Sequence, residues 1–293
     1  MEIFRGSGVV LVTPFNEDMS INYNKLEELI EWHIENNTDA LIIAGTTGEA
    51  TTLTDEEQIE LIRKSVEFAK GRLPIVAGSG SNDTQHAVYL SKECEKAGAT
   101  GLLVVTPYYN KTNRKGLIRY FTRIADSVNI PIILYNVPSR TGMVIPADII
   151  KELSNHKNIV GLKEASGDIS YLAEVARQCG DTISIYSGND NIIVPVLSLG
   201  GVGVISVLGN VLPKETHDIV MNFLTGDTKS ALDLQLKLNG FVDSLFIETN
   251  PIPVKESMNI LGHNVGSLRE PLWEMEPQNI EILKEEMKKI KLL

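Results

Sequence analysis

The sequence predicts an α/β protein: a closed (β/α)8 TIM barrel over residues 1–226, with a C-terminal helical region, residues 227–293, packed on it. Three observations carry this prediction. Eight short runs rich in Val, Ile and Leu alternate with amphipathic helical stretches between residues 8 and 207. The runs are apolar almost throughout rather than at every second residue, the pattern of parallel strands buried on both faces. No run is followed by a dinucleotide fingerprint or a phosphate loop, which weakens an open doubly wound sheet, and 293 residues suit a barrel built as one unit.

In order, the expected strands are 8–12, 40–44, 75–78, 101–105, 132–135, 159–163, 183–186 and 203–207, each a short β-branched apolar run. Helical patterns lie between them at 24–36, 55–70, 84–97, 115–127 and 171–178. Thr54 followed by Glu57 reads as a capping box for the second of these, and Asp83 reads as the cap of the third. After residue 227 the strand signal stops. The stretches 232–246, 253–261 and 277–290 read as extra helices, with Pro251 and Pro253 punctuating the path.

Composition narrows the function. An apolar fraction of 43% supports a sizeable core, and a formal charge of −11 argues against nucleic acid or anionic membrane as a general electrostatic partner. An anionic substrate can still be held by a few local cations and amides. Cys94 and Cys179 fall on expected helices without metal-type spacing, and the five histidines (His33, His86, His156, His217, His263) show no ligand pair, so no metal is expected. The start Met1-Glu2-Ile3-Phe4-Arg5-Gly6 lacks a basic stretch followed by an apolar core, and no apolar run approaches the roughly 20 residues a bilayer requires. The expectation is a soluble protein of the reducing cytoplasm.

The most informative residue is Lys163, at the end of Asn158-Ile159-Val160-Gly161-Leu162-Lys163-Glu164. Burial disfavours the charged amine, lowers its pKa and makes it a nucleophile toward carbonyls. Alone, the residue fits better a lysine at a strand tip with its amine in water, since buried unpaired lysines are uncommon. Its company shifts that balance, because barrel chemistry collects at the C-terminal ends of strands and every other polar candidate also falls there. Gly45-Thr46-Thr47-Gly48-Glu49 follows the second strand and offers backbone N–H groups and two hydroxyls to a carboxylate, or forms an ordinary turn capping the next helix. Tyr108-Tyr109 follows the fourth strand, as catalytic or as interface residues. Tyr135 ends the fifth strand, as a proton donor and acceptor or as a core plug, and Arg140 follows it, as a carboxylate fork or a surface ion pair. Glu49 and Asp190 are candidates to hold loops. A lysine amine without a metal suggests carbonyl chemistry: it condenses with a ketone, the iminium permits loss of a neighbouring proton, and the enamine attacks an aldehyde.

Three strings, Gly45-Thr46-Thr47-Gly48-Glu49, Tyr135-Asn136-Val137-Pro138-Ser139-Arg140-Thr141-Gly142 and Gly161-Leu162-Lys163-Glu164-Ala165-Ser166-Gly167-Asp168, resemble the signatures of the dihydrodipicolinate synthase/N-acetylneuraminate lyase family, and the similarity runs over essentially the whole chain. The resemblance implies a class I, Schiff-base aldolase on a (β/α)8 barrel, without cofactor, assembled as a homotetramer of two tight dimers. Thr46 and Arg140 favour its synthase branch over the sugar-acid lyases, implying condensation of pyruvate with aspartate semialdehyde to 4-hydroxy-tetrahydrodipicolinate in the diaminopimelate route to lysine. Matched position by position, Lys163 is the imine-forming lysine and Tyr135 the proton-relay tyrosine. Thr46 links the relay to Tyr109, which reaches in from a neighbouring subunit. Thr47 holds the pyruvate carboxylate, Arg140 receives that of the aldehyde substrate, and Gly188 and Ile205 lend backbone carbonyls. Many members are inhibited by lysine in a cleft at the tight-dimer interface. The matching positions here are Ala50, Gln58 and His86, with Asn82 and Tyr108 kept, so weak or absent inhibition is expected.

Overall fold

The computed structural model describes residues 2–293; Met1 lies outside the described residues. Eight parallel strands close a barrel in sequence order: β1 (Gly6–Val10), β2 (Ala40–Ile43), β3 (Ile75–Gly78), β4 (Gly101–Val105), β5 (Ile132–Asn136), β6 (Ile159–Glu164), β7 (Ser184–Ser187) and β8 (Gly203–Ser206). The expected fold class is therefore correct, and seven strands lie within a residue or so of the expected bounds. The first begins two residues early. Gly6 and Ser7 already pair with Gly203 and Val204 of β8, while at the other end Val12 N–H donates to the Asn210 side chain at 3.0 Å instead of continuing the ladder. That partner is 198 residues away and invisible to local pattern.

Caps set the helix starts as read from sequence. The Thr54 hydroxyl accepts from Glu57 N–H at 3.2 Å while the Glu57 carboxylate accepts from Thr54 N–H at 3.0 Å, a complete capping box, and Asp83 accepts from Gln85 N–H at 2.8 Å. The helices Ala147–Leu153, Ile193–Ser198 and Pro213–Leu224 are not among those expected from the sequence, and the segment carrying Arg140 after the fifth strand is a one-turn helix, Pro138–Thr141. Beyond the barrel, helices Thr228–Ser244, Ile252–Ile260 and Pro277–Lys289 form the expected C-terminal region.

The barrel interior is a separate apolar layer that includes Val10, Ile42, Val76, Leu103, Ile133, Tyr135, Tyr186 and Ile205. Phe4 stacks on Tyr186 with ring centroids 4.5 Å apart, and the Tyr186 hydroxyl donates to the Phe4 carbonyl at 2.6 Å, closing the floor. An irregularity in β6 decides where its lysine points. Ile132 pairs with Ile159, but Ile133 pairs with Gly161, so Val160 is an extra residue in β6. Side chains alternate faces along a strand, and the bulge resets that alternation. Ile159 belongs to the outer core, whereas Lys163, in register with Tyr135, faces inward.

Candidate active site

Lys163 stands between two tyrosines in one layer of the barrel, in register with Tyr135 on β5 and Tyr186 on β7. Its Nζ lies 4.5 Å from the centroid of the Tyr135 ring, and the residue is 4% exposed. Among the described residues the amine has no hydrogen-bond or ion-pair partner, so it is free to react. Burial pushes its pKa down to about 7; the Asp190 carboxylate pulls it back up, and the Arg140 guanidinium pushes it further down. A surface lysine is almost wholly protonated at neutral pH, whereas this one carries a large neutral fraction.

Tyr135 is 9% exposed. Burial raises its phenol above the usual tyrosine range, opposed by Arg140 and by the Thr46 hydroxyl, so at neutral pH it keeps its proton and can donate it. Asp190, 2% exposed, anchors one carboxylate oxygen on the N–H groups of Val207 (2.9 Å) and Leu208 (3.0 Å), while the other oxygen has no partner. Burial raises its pKa as well. The expectation that Asp190 holds a loop is met, and its charge is also the one that most favours the protonated form of Lys163.

The segment after β2 turns sharply through two non-glycine residues in the left-handed region, Ala44 (φ 54°) and Glu49 (φ 56°). Within it Glu49 N–H donates to the Thr46 carbonyl at 3.1 Å, and the Gly48 carbonyl accepts from the Thr13 hydroxyl at 2.6 Å. The Thr47 hydroxyl accepts from the Asn250 side-chain amide at 2.9 Å, and the Asn250 carbonyl accepts from Arg140 at 3.0 Å. One residue of the C-terminal region thus orients two candidate substrate holders. Asn250 is not among the sequence candidates. Pro251 beside it marks a turn, but nothing local reports a hydrogen bond across 203 residues.

Two cavities meet at the lysine. One, about 370 Å³, is lined by Thr47, Gly188, Asp190 and Asn250; the other, about 420 Å³, runs outward past Gln58, His86 and Tyr108. Thr46, Tyr135, Arg140 and Lys163 line both. Gly188 is required by close approach, since a Cβ there would lie 2.6 Å from Ala165 Cβ and 2.8 Å from the Glu164 carbonyl. The Ile205 side chain belongs to the barrel's inner layer, and the residue lines neither cavity. Among the other candidates read from sequence, Glu49 and Tyr109 also line neither, and Tyr109 is 93% exposed with φ 68°.

A desolvated amine, a protonated phenol against it, and hydroxyl, amide and guanidinium donors around the same space can bind a carboxylate-bearing carbonyl compound, form an imine with it and move protons at the adjacent carbon. The model of the dihydrodipicolinate synthetase family matches residues 3–290 of the chain. The 4-hydroxy-tetrahydrodipicolinate synthase of Thermoanaerobacter sp. (strain X514) is 55% identical over 294 residues, covering 100% of this chain and 99% of that protein. Among solved structures, dihydrodipicolinate synthase from Aquifex aeolicus has a TM-score of 0.96 at 43% identity, covering 99% of each chain. The chloride-inhibited dihydrodipicolinate synthase from Acinetobacter baumannii complexed with pyruvate has a TM-score of 0.97 at 37% identity, covering 100% of each.

Proposed function

The chain belongs to the dihydrodipicolinate synthetase family, and we propose that Lys163, Tyr135 and Thr46 carry out its chemistry while Thr47, Arg140 and the Gly188 and Ile205 backbones hold its substrates. It is a lyase that condenses pyruvate with L-aspartate 4-semialdehyde to 4-hydroxy-tetrahydrodipicolinate, on the diaminopimelate route to lysine. The neutral Lys163 amine adds to C2 of pyruvate, and loss of water leaves an iminium. The iminium withdraws electrons, C3 gives up a proton to the Tyr135–Thr46 relay, and the enamine carbon attacks the aldehyde carbon of the second substrate. The aldehyde oxygen takes a proton from the relay. The amino group of the condensed chain then displaces Lys163 from C2 and closes the ring. Thr47, held by Asn250, grips the pyruvate carboxylate, and Arg140 at the mouth receives that of the semialdehyde. In this reading residues 1–226 are the catalytic barrel and residues 227–293 its appendage.

The observation that carries the reading is the unpaired, desolvated Lys163 against Tyr135 at the junction of two cavities. Incubation with pyruvate and borohydride should leave a reduced adduct on Lys163, seen by mass spectrometry; no adduct there refutes it. Supplying aspartate semialdehyde should then give turnover, while 2-keto-3-deoxy sugar acids are not cleaved. Because only the neutral amine attacks, kcat/KM for pyruvate should climb as pH rises through about 7 and level off above it. A profile flat from pH 6 to 9 contradicts that assignment.

Tyr109 belongs to the relay of a second subunit in this proposal. Its left-handed backbone turns the phenol outward, and the Asn110 side chain pins the loop by donating to the Asn82 carbonyl at 2.9 Å. The working form is then a tight dimer, paired into a tetramer, in the cytoplasm; no described helix is long and apolar enough to cross a membrane. Mixed Lys163→Ala and Tyr109→Phe subunits should regain activity. Absence of complementation when exchange is demonstrated counts against the shared site.

The outer cavity suggests weak response to lysine. Ala50 supplies no hydroxyl, and Gln58 is occupied, donating to the Gly78 carbonyl at 2.7 Å. The cavity does contain a carboxylate, Asp55, but His86 Nε2 lies 2.9 Å from it, and His86 Nδ1 lies 3.1 Å from the Ser81 hydroxyl. A missing charge-assisted hydrogen bond costs about 1.5–3 kcal/mol, or roughly ten- to a hundredfold in affinity. Initial rates should change little below millimolar L-lysine, and strong inhibition well below that concentration would refute the expectation.

A further inference from the structure

Glu49, two residues beyond Thr47, is 2% exposed and forms an ion pair with the equally buried Lys255 at 2.7 Å. The other Glu49 oxygen accepts from Arg269 N–H at 2.9 Å. Lys255 also donates to the Ser267 carbonyl at 2.8 Å and lies 4.3 Å from the centroid of the Phe15 ring. The Arg269 guanidinium lies 4.6 Å from the same ring and donates to the Thr52 carbonyl (2.8 Å), the Met19 carbonyl (2.7 Å) and both Glu57 oxygens (2.7 and 2.6 Å). Glu57 is the acid of the capping box. One cluster therefore ties the segment after β1, the segment after β2, the helix Asp55–Ala69 and the C-terminal region together, directly behind the Thr46–Thr47 turn.

A buried ion pair is a poor source of stability, because desolvating two charges cancels much of their attraction and a well-packed apolar pair of the same volume serves as well. What charges do better is fix direction. Here the pair closes on a non-glycine residue in the left-handed region, a conformation that persists only when its surroundings impose it. The same C-terminal segment supplies Asn250 to the Thr47 hydroxyl, so it is fastened to this turn at two points.

We propose that Glu49 and Lys255, braced by Arg269 on Phe15, are positioning residues that set the Thr46–Thr47 turn for binding the pyruvate carboxylate. This rests on Thr47 holding that carboxylate. The groups touch no substrate; they act through the backbone of residues 46–49.

Glu49→Gln and Lys255→Met, singly and together, are compared with wild type by pyruvate KM, kcat, thermal midpoint and the pyruvate dependence of borohydride trapping. Each single change strands a buried charge and should lower the midpoint; the double variant strands none and should recover it. The double variant should nevertheless keep a pyruvate KM raised about tenfold, with kcat changed less than threefold and the same shift in trapping. A double variant with wild-type KM overturns the proposal, because the pair would then serve stability alone. The double variant decides even if the singles fail to fold, and Phe15→Leu, which removes the brace without touching a charge, should shift KM in the same direction if the double variant also fails. Thr47→Ala separates the two readings. An unchanged pyruvate KM there refutes the carboxylate-holding role itself, whereas a raised KM beside a normal double variant refutes only the clamp.

Discussion

Replacing Lys163 by alanine should lower turnover by roughly 10⁴-fold or more while leaving the fold intact. The covalent step loses its nucleophile, and no other described amine lines the cavities at that point to substitute for it. Stability should rise rather than fall at neutral pH, since a buried, unpaired ammonium opposes folding. The folded-state pKa is about 7 against an ordinary lysine value of 10.5, so the unfolded chain binds more protons between those values and wild-type stability increases with pH across them. The advantage of the alanine variant should therefore be greatest below about pH 7 and fade toward pH 10.5. Steady-state assays and melts at two pH values measure both effects. Activity within about tenfold of wild type would remove Lys163 from the mechanism.

Tyr135→Phe should cost about 10²–10⁴-fold in kcat, with Thr46→Val in the same range, because proton transfer at C3 and at the aldehyde oxygen runs through the phenol. The phenylalanine ring keeps the contact with Lys163 and the packing of the inner layer, so the melting temperature should move little. The hydroxyl is what is lost. Pyruvate should still be trapped by borohydride, more slowly, and exchange of the pyruvate methyl protons with solvent should fall in step with kcat. If exchange and turnover both survive within about tenfold, the relay lies elsewhere.

Most of the architecture can be read locally. Alternating apolar runs and amphipathic stretches require strands covered by helices, and the Thr54–Glu57 box and the Asp83 cap are satisfied within three residues of themselves. The short helix Ile193–Ser198 escapes such a reading because an apolar run of six residues looks alike as buried helix or strand, whereas Pro213–Leu224 does carry local signals, a proline at its start and Glu215 in its first turn. The strand-end placement of Lys163, Tyr135, Thr46, Thr47 and Arg140 is legible for the same reason the barrel is: each sits where an apolar run stops and a turn begins.

What the chain determines by itself is therefore the alternation, the caps and the chemical inventory at the strand ends, all set by neighbours within a few residues. Only the tertiary structure decides which way that inventory points. The extra residue at Val160 turns Lys163 into the barrel, and a strand's inward face cannot be known until its partner's register is. Asn250 meets Thr47, and Lys255 meets Glu49, more than 200 residues apart in sequence, through contacts that exist only after the C-terminal helices have packed. The pKa of Lys163 is likewise a property of burial and of Asp190 and Arg140 around it, because desolvation belongs to the enclosing fold and not to the residue.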